Sequence, residues 1–272
     1  MRSASISSAG HIFPFQKRWL PVEPIELLGI RVHPVTVAEL HRYLADHIHQ
    51  RRRALVFHAN VHALNLAVAH SGFHAALNRA DLIFPDGAGV VLGARVLGGC
   101  LPGRITYADW LWQLAEFAAQ QGFSLFLLGA KPGVAEQAAA KLVAHAPMLR
   151  IAGTHHGYFD KFTASAESDA VLQAINTARP DILLVCFGMP QQELWLVQNW
   201  ERLNAYVGLT GGAALDYISG NLQRGPKWMT DHGFEWLARM IIEPRRLWKR
   251  YVLGNPLFLW RVFMQRIGLL CL

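Results

Sequence analysis

Along most of the chain, apolar runs of strand length alternate with longer segments whose apolar positions recur every three or four residues. That is the pattern of a parallel sheet covered by helices. Residues 27–32 read as a strand, and Thr36-Val-Ala-Glu39 is a capping box that opens a helix to about Arg51. A strand over 54–59 runs into Asn60, and a helical stretch begins near His62. A short strand over 81–85 stops at Asp86-Gly87, Asp109 caps a helix to Gln121, and a buried strand over 124–128 ends at Gly129. Helices over 134–145 and around 170–178 flank a strand near 150–154. Residues 181–187 carry the strongest strand pattern and stop at Gly188-Met-Pro190; the last strand, 206–209, ends in Thr210-Gly-Gly212. The expected fold class is α/β, a Rossmann-like, mainly parallel sheet flanked by helices.

In open parallel sheets, ligands lie beyond the carboxyl ends of the strands, where loops and helix N-termini converge. The residues to inspect are therefore Asn60, Asp86-Gly87, the stretch from Gly129 to Gly133, the stretch from Gly188 to Glu193, and the stretch from Thr210 to Asp216. Asp86 has two readings: a carboxylate facing a pocket as a base, or an Asx turn or helix N-cap. Gly129-Ala-Lys-Pro-Gly133 is neither a dinucleotide fingerprint nor a Walker loop, and its expected role is to line a nucleotide pocket. In Gly188-Met-Pro190-Gln-Gln192-Glu193, polar side chains follow a buried strand where a helix starts, which suits ligand contact or an ordinary helix start equally.

Composition changes this picture at the C-terminus. Charged residues make up only 17% of the 272 residues and hydrophobic ones 52%, so part of the surface is expected to meet lipid or another protein. The net charge is +7, of which +5 falls in residues 243–272. Such segregation argues against a nucleic-acid surface and for a basic tail on an anionic partner. In that tail Arg and Lys interleave with Trp, Phe and Leu, the composition of an amphipathic membrane-attachment segment, with a helix packed on the domain as the plainer alternative. Gly254-Asn-Pro256 is expected to break its helix. The organisation read from these shifts is an N-terminal extension over 1–24, a catalytic α/β domain over 25–223 and a basic, Trp-rich appendage over 224–272. Removing residues 254–272 should then leave the body folded.

The N-terminus lacks an unbroken apolar core of a signal peptide, and no stretch reaches the roughly 18 apolar residues of a spanning helix. Three scattered cysteines, none in a C-x-x-C pair, fit a reducing compartment. Thirteen histidines include His58 and His62, four apart, yet no metal-ligand pattern and no Asp-x-Asp accompanies them, so no metal and no cofactor are expected.

Taken together, the loops resemble the WecG/TagA/CpsF family of bacterial glycosyltransferases. The matching residues are Asn60, Pro85-Asp86-Gly87, Arg104 with Asp109, Leu128-Gly129 with Pro132-Gly133, and His156-Gly157-Tyr158-Phe159. They continue through Gly188, Pro190, Gln192-Glu193, Gly211-Gly212-Ala213, Asp216, Arg224 with Pro226, Glu235-Trp236, Arg239, Glu243-Pro244-Arg245 and Arg250-Tyr251. The resemblance implies a peripheral enzyme on the cytoplasmic face of the bacterial inner membrane that moves a sugar, with inversion, from a UDP-sugar donor to a polyprenyl-diphosphate-linked sugar acceptor. A homo-oligomer is left open. This chain departs from the family pattern at His58, where Thr is common, at Gln191, where Lys is common, and at Tyr107, where Gly is common. Thr106-Tyr107-Ala-Asp109-Trp110 is closer to xanthan-type exopolysaccharide glucosyltransferases, so glucose is the expected sugar, with an N-acetylmannosamine-type sugar as the alternative.

On the resemblance, Asp86 is the expected base, Asn60 and Gln192 hold sugar hydroxyls, and Arg239, Arg246 or Arg250 meet the leaving diphosphate. Gly87, Arg104, Gly129, Gly133, Gly188, Pro190, Glu193, Gly211, Gly212 and Asp216 complete the expected substrate site. A non-catalytic nucleotide-binding adaptor and an NAD-dependent sugar oxidoreductase are the competing classes; the second is weakened by the missing G-x-G-x-x-G.

Overall fold

A computed structural model describes residues 23–161, 165–223, 225, 229 and 235–270. Most of the expected N-terminal extension and Arg224 lie outside them. Six strands form one wholly parallel sheet in the order β4-β3-β8-β7-β5-β6. They are β3 (Ala54–Ala59), β4 (Leu82–Pro85), β5 (Ser124–Gly129), β6 (Arg150–His155), β7 (Ile182–Cys186) and β8 (Val207–Thr210). All but the edge strand β6 are buried along their whole length, as near-continuous apolar runs require when helices cover both faces.

One face is covered by α1 (Val37–His49), α5 (Tyr107–Gln121), α6 (Val134–His145) and α9 (Ala214–Ser219). The other is covered by α2 (Val61–Ala69), α3 (Ser71–Asn78), α4 (Ala88–Val96), α7 (Ala166–Ala178), α8 (Gln191–Asn199) and the C-terminal helix Gly254–Arg266. β3 and β8 are neighbours, yet β3 leads into α2 on one face and β8 into α9 on the other. The chain diverges above that pair and leaves a crevice at their carboxyl ends.

Several sequence expectations change. Residues 27–32 do not form one strand: Leu28 and Gly29, at φ 52° and 76°, turn the chain between β1 (Ile25–Leu27) and β2 (Ile30–Val32), an antiparallel hairpin. A two-residue turn with both φ positive matches the twist of the strands it joins. Asp109 does not cap α5; Thr106 takes the N-cap position and Asp109 sits in the first turn, where a carboxylate favours the helix dipole. The capping box of Thr36 and Glu39 is present, each side chain bonded to the other's backbone amide.

The tail differs most. Gly254-Asn-Pro256 does not break the helix; it begins one, directly after a wide π turn over Lys249–Leu253. Proline lacks an N–H and its ring crowds the carbonyl four residues back, so the widened turn beneath it accommodates the ring. Within the helix Gly254–Arg266, Phe258 and Val262 are fully buried in the body's core. Gly93 on α4 leaves room for Phe258: a Cβ there would lie 2.6 Å from the ring. Arg261 donates to the Asn65 carbonyl and side chain at 3.0 and 2.9 Å, and Gln265 brackets the β1 hairpin through Leu28 N–H and the Glu26 carbonyl, both at 2.9 Å. Removing residues 254–272 would therefore uncover part of the core, contrary to the expectation of an intact body. The outer face of the same segment exposes Val252, Leu253, Leu257, Trp260, Phe263 and Ile267.

Candidate active site

The crevice above β3 and β8 opens into a cavity of about 750 Å³, walled on one side by the strand-end loops and on the other by the tail. Each strand end contributes a distinct group. Asn60, just past β3, accepts the Ala63 amide at 3.0 Å and so caps α2, while its side chain also bonds the Asp86 carboxylate. A cap fixes the amide's orientation, and this one turns it toward Asp86.

Asp86 follows β4, its N–H held by the Ala59 carbonyl at 2.8 Å. Gly87, at φ 95°, makes the turn into α4 and occupies the N-cap position; no side chain caps that helix. Of the two sequence readings of Asp86, the cap is thereby set aside: the carboxylate lines the cavity with 22% of its side chain exposed. Burial pushes its pKa up, opposed by the Asn60 bond and by Arg239, Arg250 and Arg104. A carboxylate raised in this way is a stronger base than an exposed one.

His58, at the end of β3, is 3% exposed. Its Nδ1 lies 2.9 Å from the Thr210 carbonyl and 3.0 Å from the Thr210 hydroxyl, and its Nε2 lies 4.0 Å from Asp86 Oδ2. Burial lowers its pKa to about 4, against the Thr210 bond and with help from Arg250. The ring is neutral at physiological pH, so its approach to Asp86 is not an ion pair. Arg104, Arg239 and Arg250 put three cations on the cavity wall, with Arg239 over the Tyr217 ring and Arg250 over the Tyr251 ring, both at 5.5 Å.

Asn60, Asp86, Gly87, Arg104, Gly188, Gly211, Gly212, Arg239 and Arg250 thus all line one cavity. Other expected residues lie elsewhere. Gln192 is fully buried and off the cavity wall: its carbonyl accepts the amides of Gly188 at 3.2 Å and Gly212 at 2.9 Å, and its amide donates to Glu193 at 2.8 Å. In the first turn of α8 it points inward and staples two cavity loops together, with no face left for a sugar. Glu193 is buried with it, and burial raises its pKa to about 7. Gly129 and Gly133 sit at the end of β5, two strands from β8, and Gly129 is needed because a Cβ would lie 2.4 Å from the Cys186 carbonyl. Pro190 starts α8 and Asp216 lies on α9, both away from the cavity, where Tyr217 stands instead. The Arg246 side chain is outside the described residues.

Sequence reasoning missed the aromatic part of the wall. The sequence marks Tyr107 only as a departure from the family pattern and does not mark Tyr217, Trp236 or Tyr251 as lining; all four face the cavity. Aromatic residues between arginines were the available signal. Among the described residues no group of three or more His, Cys, Asp or Glu side chains gathers as metal ligands would, and no helix is long and apolar enough to cross a membrane.

Residues 25–270 match the model of the glycosyl transferase WecG/TagA/CpsF family. A Bacillus subtilis protein named N-acetylglucosaminyldiphosphoundecaprenol N-acetyl-beta-D-mannosaminyltransferase is 32% identical over 76% of this chain and 79% of its own length. Proteins of the same name from Bacillus spizizenii and Staphylococcus aureus are each 28% identical over 75% of this chain and 77% of theirs. The expectation of glucose finds no support in these relatives, whose names carry the alternative sugar.

Proposed function

Since the chain belongs to the WecG/TagA/CpsF family of glycosyltransferases, we propose that it moves an N-acetylmannosamine-type sugar from a UDP-sugar to a polyprenyl-diphosphate-linked sugar, with inversion. The observation that carries this reading is Asp86: a carboxylate of raised pKa in a cavity whose wall also presents three arginines. Inverting transfer needs one base, because the acceptor hydroxyl acidifies as it attacks the anomeric carbon. Asp86 takes that proton. Asn60 holds the carboxylate in line, and positioning of this kind supplies a share of the barrier reduction. The departing UDP carries diphosphate charge; Arg104, Arg239 and Arg250 neutralise it without a metal.

The acceptor's lipid calls for an apolar approach, and the tail offers one. Leu259 and Phe258 line the cavity, while Leu257, Trp260 and Phe263 face outward from the same helix. An exposed apolar row beside basic residues is what a peripheral protein sets on an anionic leaflet, here the cytoplasmic one. Cell-surface glycan synthesis is the process such an acceptor serves. The test is direct. Purified protein is incubated with a polyprenyl-diphosphate-linked N-acetylglucosamine acceptor, EDTA and, separately, the UDP derivatives of N-acetylmannosamine, N-acetylglucosamine and glucose, and UDP release is followed. Release with N-acetylmannosamine at a rate that chelation leaves intact is expected. Release with glucose alone refutes the sugar, and activity lost to EDTA and restored by Mg²⁺ refutes the metal-free charge neutralisation.

A further inference from the structure

His58 stands where it can do more than fill space among the rings of Phe84 and Tyr107, at 6.1 and 5.2 Å. The Thr210 carbonyl can only accept, so at 2.9 Å it favours the hydrogen on Nδ1, and the Thr210 hydroxyl, 3.0 Å from the same nitrogen, is free to accept as well. The neutral ring then bears its lone pair on Nε2, on the cavity side and 4.0 Å from Asp86 Oδ2. Two acceptors face each other there with no hydrogen between them. That arrangement suits the state reached after proton transfer.

Resting on the reading of Asp86 as the base, we propose that His58 is the positioning residue of that base: Nε2 accepts the hydrogen bond that Asp86 donates once it has taken the acceptor's proton. In the step, the acceptor's O–H bond breaks as its oxygen bonds the anomeric carbon. The bond from that carbon to the diphosphate oxygen breaks, its electron pair leaving with UDP, and the proton settles on Oδ2. Oδ2–H then turns to Nε2, which shares the proton without taking a charge. The low pKa of the ring, about 4, keeps the lone pair available throughout the working range. Among the described residues, the charged and titratable groups around this pair are Arg250 from the tail beside His58, Arg239 and Arg104 beside Asp86, Tyr107 from α5, and His62 from α2 on the same cavity wall. All three cations favour the carboxylate and burial favours the neutral acid; the His58 acceptor adds to the side of burial.

His58→Asn and His58→Gln separate the two edges of the ring. Asparagine keeps a donor for Thr210 and has nothing to reach Asp86; glutamine reaches toward Asp86 and gives up Thr210. The readout is the acid limb of kcat/KM against pH, since activity requires unprotonated Asp86. Loss of the acceptor destabilises protonated Asp86, lowers its pKa and moves the limb of His58→Asn to lower pH, by about one unit for one hydrogen bond, with kcat down about tenfold. His58→Gln keeps the limb near that of the parent. A limb that stays in place in His58→Asn, whatever happens to the rate, reduces His58 to a packing role and overturns the proposal, as does a His58→Gln limb displaced as far as that of His58→Asn. Asp86→Asn, run alongside, fails separately: if it turns over at the parent rate, the base itself is wrongly assigned.

Discussion

Phe258→Ala tests whether the tail is a working part of the site or an attachment hung from it. The ring is 1% exposed and lies against Gly93 and the β1 hairpin side of the core. Gly93 cannot fill the space left behind. Truncating a buried Phe to Ala costs about 3–5 kcal/mol when the site collapses poorly. At the lower figure, a domain of this size melts roughly 6–12 °C earlier if the loss is global. If the tail instead lifts off locally, about 3 kcal/mol raises the open population by about 10²-fold, visible as faster amide exchange over residues 254–266 alone. Arg250, Tyr251 and Asn255 lie immediately upstream and line the cavity, so kcat/KM for the UDP-sugar falls in either case. Thermal melting, exchange and turnover on one preparation decide it. A variant that melts within about 2 °C of the parent, exchanges alike and turns over at the parent rate refutes the packing argument.

Burial raises the Glu193 pKa from its ordinary 4.5 to about 7, so the folded protein binds a proton that the unfolded chain releases at lower pH. Stability from this group is fully present below about pH 4.5 and is lost as pH rises through 7, to a total of about 3 kcal/mol; Glu193→Gln removes the dependence, and melting curves between pH 5 and 8 check it. Arg250 holds the Asp86 pKa down, so Arg250→Gln raises it further and moves the acid limb of kcat/KM to higher pH, opposite in direction to His58→Asn. Leu257 and Trp260 are exposed, and replacing both by Ser should weaken binding to anionic vesicles about tenfold or more while leaving the melting temperature unchanged, measured by flotation and calorimetry.

Elements with a continuous apolar run or a clear apolar stripe against the core were legible in the sequence. The strand over 54–59 and the helix over 134–145 stand within the bounds their periodicity predicts, because apolar runs bounded by polar or glycine residues leave the chain little choice. Asn60, Asp86 and the Gly211-Gly212 loop were legible for a similar reason: a parallel sheet sends its strand ends to one edge. What composition could not say is which way a polar side chain turns. Gln192 follows a strand just as Asn60 does, yet it lies in the first turn of a helix whose inner face is covered, so it bonds Gly188 and Gly212 instead of facing the cavity. The tail's composition reads as an amphipathic membrane-attachment segment broken at Pro256, with a helix packed on the domain as the plainer alternative. Its periodicity does not show that Phe258 and Val262 have a glycine-lined seat on α4, because that seat is made by residues about 165 positions earlier.

The central claim is that Asp86 is the base of a glycosyl transfer, and Asp86→Asn measures it most directly. Asparagine preserves the shape and can still bond Asn60, so UDP-sugar binding should stay within about twofold of the parent by calorimetry. It cannot take a proton, and turnover with the lipid-linked acceptor should fall by roughly 10² or more. Unchanged binding with that loss is the predicted result. Turnover near the parent rate, from folded protein that binds the donor normally, contradicts the account.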